Sequence, residues 1–101
     1  MPSRYRVVLR EPARDLLERL AEEDRPACRR LALLLLRLEK TPRPAGSREL
    51  SPLEAPRRGE RLWVQGDFQI AYRLDEGARE VDVGLIQRVR SPTRAGSPFS
   101  S

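Results

Sequence analysis

The stretch from Arg61 to Leu74 constrains this chain more than any other. Arg61-Leu62-Trp63-Val64-Gln65 alternates residue by residue, and so does Phe68-Gln69-Ile70-Ala71-Tyr72-Arg73-Leu74. Between them stands Gly66-Asp67, a two-residue connection of the kind that joins antiparallel strands directly. A period of two sends successive side chains to opposite faces, so each strand has a core side and an outer side.

Upstream, Tyr5-Arg6-Val7-Val8-Leu9 reads as a short first strand. Glu11-Pro12 opens a helix, since proline is favoured at the first helical position. Ala13, Leu16, Leu17 and Leu20 recur at helical spacing as one apolar stripe, opposite Arg14, Asp15, Glu18, Arg19 and Glu22. Asp24-Arg25-Pro26 restarts the chain: Asp24 suits a cap and Pro26 the first turn of a second helix, which runs to about Lys40. Its stripe of Ala27, Leu31, Leu34, Leu35 and Leu38 is widened by Cys28, Ala32 and Leu36. A helix this apolar is expected to be buried on more than one side, against a sheet and the first helix. Arg29, Arg30, Arg37 and Lys40 gather opposite, with Leu33 among them.

Thr41-Pro42-Arg43-Pro44-Ala45-Gly46 ends the helix and turns the chain. Arg48-Glu49-Leu50 is a candidate short strand, followed by an irregular loop holding Pro52 and Pro56. After the hairpin, Asp75-Glu76-Gly77 turns into a last strand, Val81-Asp82-Val83-Gly84-Leu85-Ile86. From Ser91 the chain is rich in Ser, Pro, Gly and Arg and reads as a flexible tail over 91–101, leaving 1–90 as one domain. The order predicts an α+β domain, β-α-α-β-β-β, with a helical hairpin on one face of a twisted, mainly antiparallel sheet of three to five strands. With Leu62, Val64, Ile70, Tyr72, Val81 and Val83 assigned to the core side, Arg61, Trp63, Gln69 and Arg73 are expected on the open face. Arg88 and Arg90 follow the last strand and are expected at its rim.

Charge narrows the function classes. Lys+Arg total 20 against 15 Asp+Glu, a net +5, and every basic residue but Lys40 is arginine. A GC-rich base composition accounts for part of the arginine excess over lysine but not for the net charge. That charge points to nucleic acid, an acidic protein partner, or both. Histidine is absent, which removes the commonest general base and the commonest metal ligand. Cys28 is the one cysteine, so neither an internal disulfide nor a zinc site is expected, and no metal or cofactor is implied. It reads as a small core residue. The longest apolar run, Leu31 to Leu36, falls short of the about 20 residues that span a bilayer, and no secretory leader is expected. A reduced, cytoplasmic setting is the default.

In its order and its words the chain resembles the RelE/ParE superfamily, toxins of bacterial and archaeal type II toxin–antitoxin pairs. The matching stretches are Tyr5-Arg6-Val7-Val8-Leu9, Pro12-Ala13-Arg14-Asp15-Leu16-Leu17, Pro42 through Leu50, and above all the block from Arg61 to Leu74. The likeness covers about residues 4 to 90. It implies a cytoplasmic toxin neutralised by a cognate acidic antitoxin, with the ribosome and mRNA as further partners, no membrane, and self-association into a homo-oligomer left open. RelE-like members cleave mRNA in the ribosomal A site; ParE-like members poison DNA gyrase. Gly46-Ser47-Arg48-Glu49-Leu50 and the hairpin look closer to RelE, and residues 12 to 40 are short for the helical hairpin of the ParE kind.

The resemblance also implies a site. Arg61 falls where the family carries a basic residue, Trp63 where RelE itself has a second one, and Gln69 where a catalytic arginine is typical. Arg88 or Arg90 stands for the arginine after the last strand, and no tyrosine follows, the next aromatic residue being Phe99. The expected catalytic set is therefore Arg61, Arg73, Arg88 and Arg90, with Arg61, Trp63, Gln69 and Arg73 binding RNA. Cleavage by the 2′-oxygen needs a base, stabilisation of phosphate charge, and an acid for the leaving oxygen. Arginine suits the second role and, with a pKa above about 12, serves poorly in the other two. Glu60 and Asp67 flank the hairpin as candidate bases, Asp67 having an obvious turn role as well. Trp63 suits stacking on a base, and equally a place beneath a bound partner. Two alternatives remain beside mRNA cleavage: a ParE-like inhibitor of a protein target, and a catalytically decayed member that keeps antitoxin binding.

Overall fold

Strand β1 (Arg6–Leu9) passes into helix α1 (Glu11–Glu23) across one residue, Arg10, whose N–H donates to the Val83 carbonyl at 2.9 Å. The computed structural model describes residues 4–54 and 59–89. Helix α2 (Arg25–Lys40) starts directly after Asp24, whose carboxylate accepts from the Ala27 N–H at 3.2 Å and so caps the helix. Pro12 and Pro26 lie in the first turns, where no intrahelical N–H is missed. Strands β2 (Ser47–Glu49), β3 (Glu60–Gln65), β4 (Phe68–Asp75) and β5 (Glu80–Arg88) complete the chain. The sheet order is β1-β5-β4-β3-β2, with β1 parallel to β5 and the other pairs antiparallel. The α+β class and the five-stranded upper bound hold, and the order is β-α-α-β-β-β-β: the candidate short strand before the hairpin, Ser47–Glu49, adds one strand to the expected β-α-α-β-β-β. Among the described residues no helix is long and apolar enough to cross a membrane.

Both helices cover one face. Leu31, Leu35 and Leu38 of α2 and Ala13 and Leu20 of α1 are buried with Trp63, Phe68, Ile70, Tyr72, Val81, Val83 and Ile86. The leucine stripe of α2 and the expected core residues Ile70, Tyr72 and Val83 thus share one core. The Tyr72 hydroxyl donates to the Pro42 carbonyl at 2.7 Å, which fixes the exit of α2 against the sheet. The second flank of α2 is not covered: Leu36 is 52% exposed and Leu33 56%. One sheet and one short partner helix offer α2 a single broad contact, so the expectation of burial on several sides fails at Leu36.

The β3–β4 register overturns the expected facing of β3. Gln65 pairs with Phe68, Trp63 with Ile70 and Arg61 with Tyr72, so Trp63 and Arg61 lie on the helix side. Trp63 is 0% exposed, while Val64 is 50% exposed on the open face beside Leu62. The physical reason is the length of the turn. A two-residue connection makes odd-numbered residues of β3 share a face with even-numbered residues of β4, and Phe68, Ile70 and Tyr72 hold the core side. Gly66 takes φ +61° at the first turn position, a conformation that suits glycine. Between Ala71 and Tyr72 the β4–β5 register slips, so Gly84 of β5 stands as the extra residue of a bulge. Val83 and Ile86 can therefore both reach the core although they lie three apart.

Candidate functional site on the open sheet face

The face opposite the helices carries Arg48 of β2, Glu60, Leu62 and Val64 of β3, Gln69, Ala71 and Arg73 of β4, and Asp82, Leu85 and Gln87 of β5. A trough of about 520 Å³ opens on it, lined by Arg48, Leu50, Glu54, Glu60, Leu62, Gln69, Ala71, Gly84 and Leu85. Its floor is apolar: Leu62, Ala71 and Leu85 stand side by side, and Gly84 contributes no side chain to fill the middle. Its walls are polar. Glu60 is 3% exposed and lines the trough, and Arg73 is its partner across the strands, on the same face but outside the trough lining.

The cations of this face are matched by carboxylates. Arg10 donates from Nε and Nη2 to the two oxygens of Asp82, both at 2.8 Å. Arg73 Nη2 stands 3.7 Å from Asp82 Oδ2. Arg48 donates to Glu54 at 3.1 Å, and Glu54 also accepts from the Ser51 N–H at 3.2 Å. These bonds, that from Arg48 foremost, hold the Glu54 carboxyl below its usual range. The face is thus far less positive than the net +5 of the whole chain.

Of the six residues expected to act here, two lie on the open face. Gln69 Nε2 donates to Gln87 Oε1 at 3.3 Å, and Arg73 stands beside Glu60 and Asp82. Arg61 lies on the helix side and donates to Ser47 Oγ at 2.9 Å. Trp63 is buried in the core with the Arg37 guanidinium 5.2 Å from its ring centroid, so it presents no surface for stacking on a base. Arg88 lies on the helix side at the far end of β5, opposite Phe68. There it donates from Nε to Asp67 at 3.1 Å and stands 3.0 Å from Asp24, while Arg30 donates to Asp67 at 3.2 Å. Arg88 therefore fastens the hairpin turn to the α1–α2 junction, and Asp67 serves the turn and this network rather than the open face. Arg90 and the expected tail 91–101 lie outside the described residues.

Arg10, Arg48, Glu54 and Asp82 were not anticipated. Asp82 was legible, since a residue between two core valines on one strand must face outward. Arg48 follows from pairing opposite Leu62, which needs the β3 facing to be right first. Arg10 has no sequence signal as a site residue, because its proximity to Asp82 depends on the β1–β5 pairing. Together the face offers guanidinium groups for an anion, a buried carboxyl in Glu60, and an apolar floor for a flat or aliphatic group.

No protein-family model matches the chain, and no curated protein does. Among solved structures, a chain of the crystal structure of the toxin–antitoxin complex RelBE2 from Mycobacterium tuberculosis matches with a TM-score of 0.69 and 17% identity. The match covers 84% of this chain and 98% of that one. The RelE-like fold expected from the sequence is therefore the fold observed.

Proposed function

We propose that this protein is the toxin of a type II toxin–antitoxin pair of the RelE kind, which cleaves mRNA at the ribosome and is held inactive in the cytoplasm by an acidic antitoxin. The observation that carries the reading is the uncovered sheet face, with Arg48, Glu60 and Gln69 lining one trough and Arg73 paired opposite Glu60, on a fold shared with a toxin–antitoxin protein. In this reading Arg48 and Arg73 hold the scissile phosphate and stabilise its charge. Glu60 takes the 2′-proton, the 2′-oxygen forms its bond to phosphorus, and the bond to the leaving 5′-oxygen breaks. That oxygen takes its proton from water, because the chain has no histidine and its one lysine, Lys40, lies on α2. Slow cleavage is expected from so spare a set.

A second reading, a binding protein that no longer cleaves, is favoured by the apolar trough floor, the carboxylates facing each arginine, and Gln69 where the family typically has a catalytic arginine. Induced expression with and without the neighbouring reading frame, followed by mapping of mRNA 5′ ends, separates the two. Growth arrest with cuts in the ribosomal A site supports cleavage. Arrest with intact mRNA leaves an inhibitor of another target, and absence of arrest leaves the non-cleaving binder.

A further inference from the structure

We infer that the outward face of α2 is the docking surface for an acidic amphipathic segment of the antitoxin; the inference rests on the toxin–antitoxin reading for the partner's identity. Three observations meet on this face. Leu33 and Leu36 are 56% and 52% exposed on a helix whose other leucines are wholly or partly buried. Beside them a groove of about 330 Å³ runs between the end of α1 and α2, floored by Ala21, Cys28 and Ala32 and rimmed by Arg25 and Arg29. Helical spacing sets Arg25, Arg29, Leu33, Leu36 and Lys40 one above another along α2, over the about 24 Å that its 16 residues span.

Charge fixes the chemistry of the occupant. Glu39 is the one acid of α2 and is half-buried. Among the described residues no carboxylate forms an ion pair with Arg25, Arg29 or Lys40, whereas Arg30 is engaged by Asp67 and Arg37 lies over Trp63. Two exposed leucines alone would be unremarkable surface. Two leucines in line with a small-residue groove, between cations that no acid among the described residues pairs with, match a helix with apolar residues three or four apart and carboxylates on both flanks. RNA fits less well, because the stripe has no aromatic residue for a base to stack on and presents aliphatic side chains in its centre.

The test uses the antitoxin encoded beside the gene, titrated against the full chain at low salt and at about 0.5 M salt. Both leucines are exposed, so L33D/L36D should keep the wild-type helical content, checked by circular dichroism. Its affinity should fall at least roughly tenfold at both salt concentrations. The variant R25E/R29E should lose a similar factor at low salt and most of that difference at high salt, because screening removes the charge contribution. Complex formation with both variants as tight as wild type overturns the inference and leaves the toxin–antitoxin reading standing. Loss of binding to a 20-nucleotide single-stranded RNA with unchanged antitoxin affinity also overturns it and makes the face a nucleic-acid surface. If the neighbouring protein forms no complex with the wild-type chain, the toxin–antitoxin reading itself falls, and this inference with it.

Discussion

Arg73 Nη2 stands 3.7 Å from Asp82 Oδ2, beyond hydrogen-bond reach, while Arg10 makes two bonds of 2.8 Å to the same carboxylate. The Arg73 guanidinium is attracted and oriented by Asp82 yet keeps its donors for another anion. Arg61 is differently placed: it lies on the helix side and spends one donor on Ser47.

These two arginines should separate on substitution. R73A should weaken RNA binding, lower the slope of affinity against salt by roughly one, and slow any cleavage. R61A should leave the salt slope unchanged. Filter binding across a salt series reads both variants. Loss of binding in R61A with R73A unaffected would return the site to the helix side and sink the open-face reading.

Trp63 provides a test of the β3 register. A tryptophan exposed for stacking loses little stability on truncation, whereas a fully buried one leaves a large cavity. W63A should cost ~3–5 kcal/mol, and L35A on the facing helix ~2–5 kcal/mol, each a large share of a small domain's stability. Urea unfolding followed by circular dichroism measures both. A near-neutral W63A would mean that Trp63 faces solvent after all.

The network at the α1–α2 junction makes stability depend on acid. The Ala27 N–H first, and then Arg88, hold the Asp24 carboxyl below its ordinary pKa. Burial works to raise that of Asp67, but the bonds from Arg88 and Arg30 and a backbone hydrogen bond outweigh it, and the net direction is again downward. A carboxyl whose pKa falls on folding binds fewer protons folded than unfolded. Its stabilisation is therefore complete above the unfolded value of about 3.9 and drains away as the pH falls through the lower folded value. The urea midpoint should drop across that window, and R88Q should reduce the drop. If R88Q and wild type show the same acid profile, Arg88 contributes nothing through these carboxylates.

Gln69 distinguishes a weak enzyme from a binder. It lines the trough on the open face, where its amide bonds to Gln87, so a longer cationic side chain has room to extend there. Q69R adds a phosphate-binding guanidinium where the RelE resemblance places one. Cleavage mapped at mRNA 5′ ends should rise. Unchanged mRNA ends, with Q69R folded and still bound by the antitoxin, would favour the non-cleaving scaffold.

Local rules made the helices legible, because their signals lie within a few residues of each other. Asp24 caps, Pro12 and Pro26 open, and leucines three and four apart mark the buried stripe. The hairpin was equally plain in Gly66-Asp67, and the element order followed. Half of the site was not legible. On β3 the two candidate faces are Arg61 with Trp63 and Leu62 with Val64, and each has apolar residues, so composition does not choose between them. The turn length already implied the answer when counted through to Phe68, Ile70 and Tyr72.

What the sequence alone determined, then, was the kind and order of the elements and the alternation within each strand, because those depend on periods of 3.6 and 2 along the chain. Only the tertiary structure decided where the Gly84 bulge shifts the phase of β5, and that Arg10 meets Asp82 while Arg88 turns away to Asp24 and Asp67. Those outcomes depend on partners more than 20 residues away in most cases, and a phase or an ion pair has no energy until its partner strand is in register.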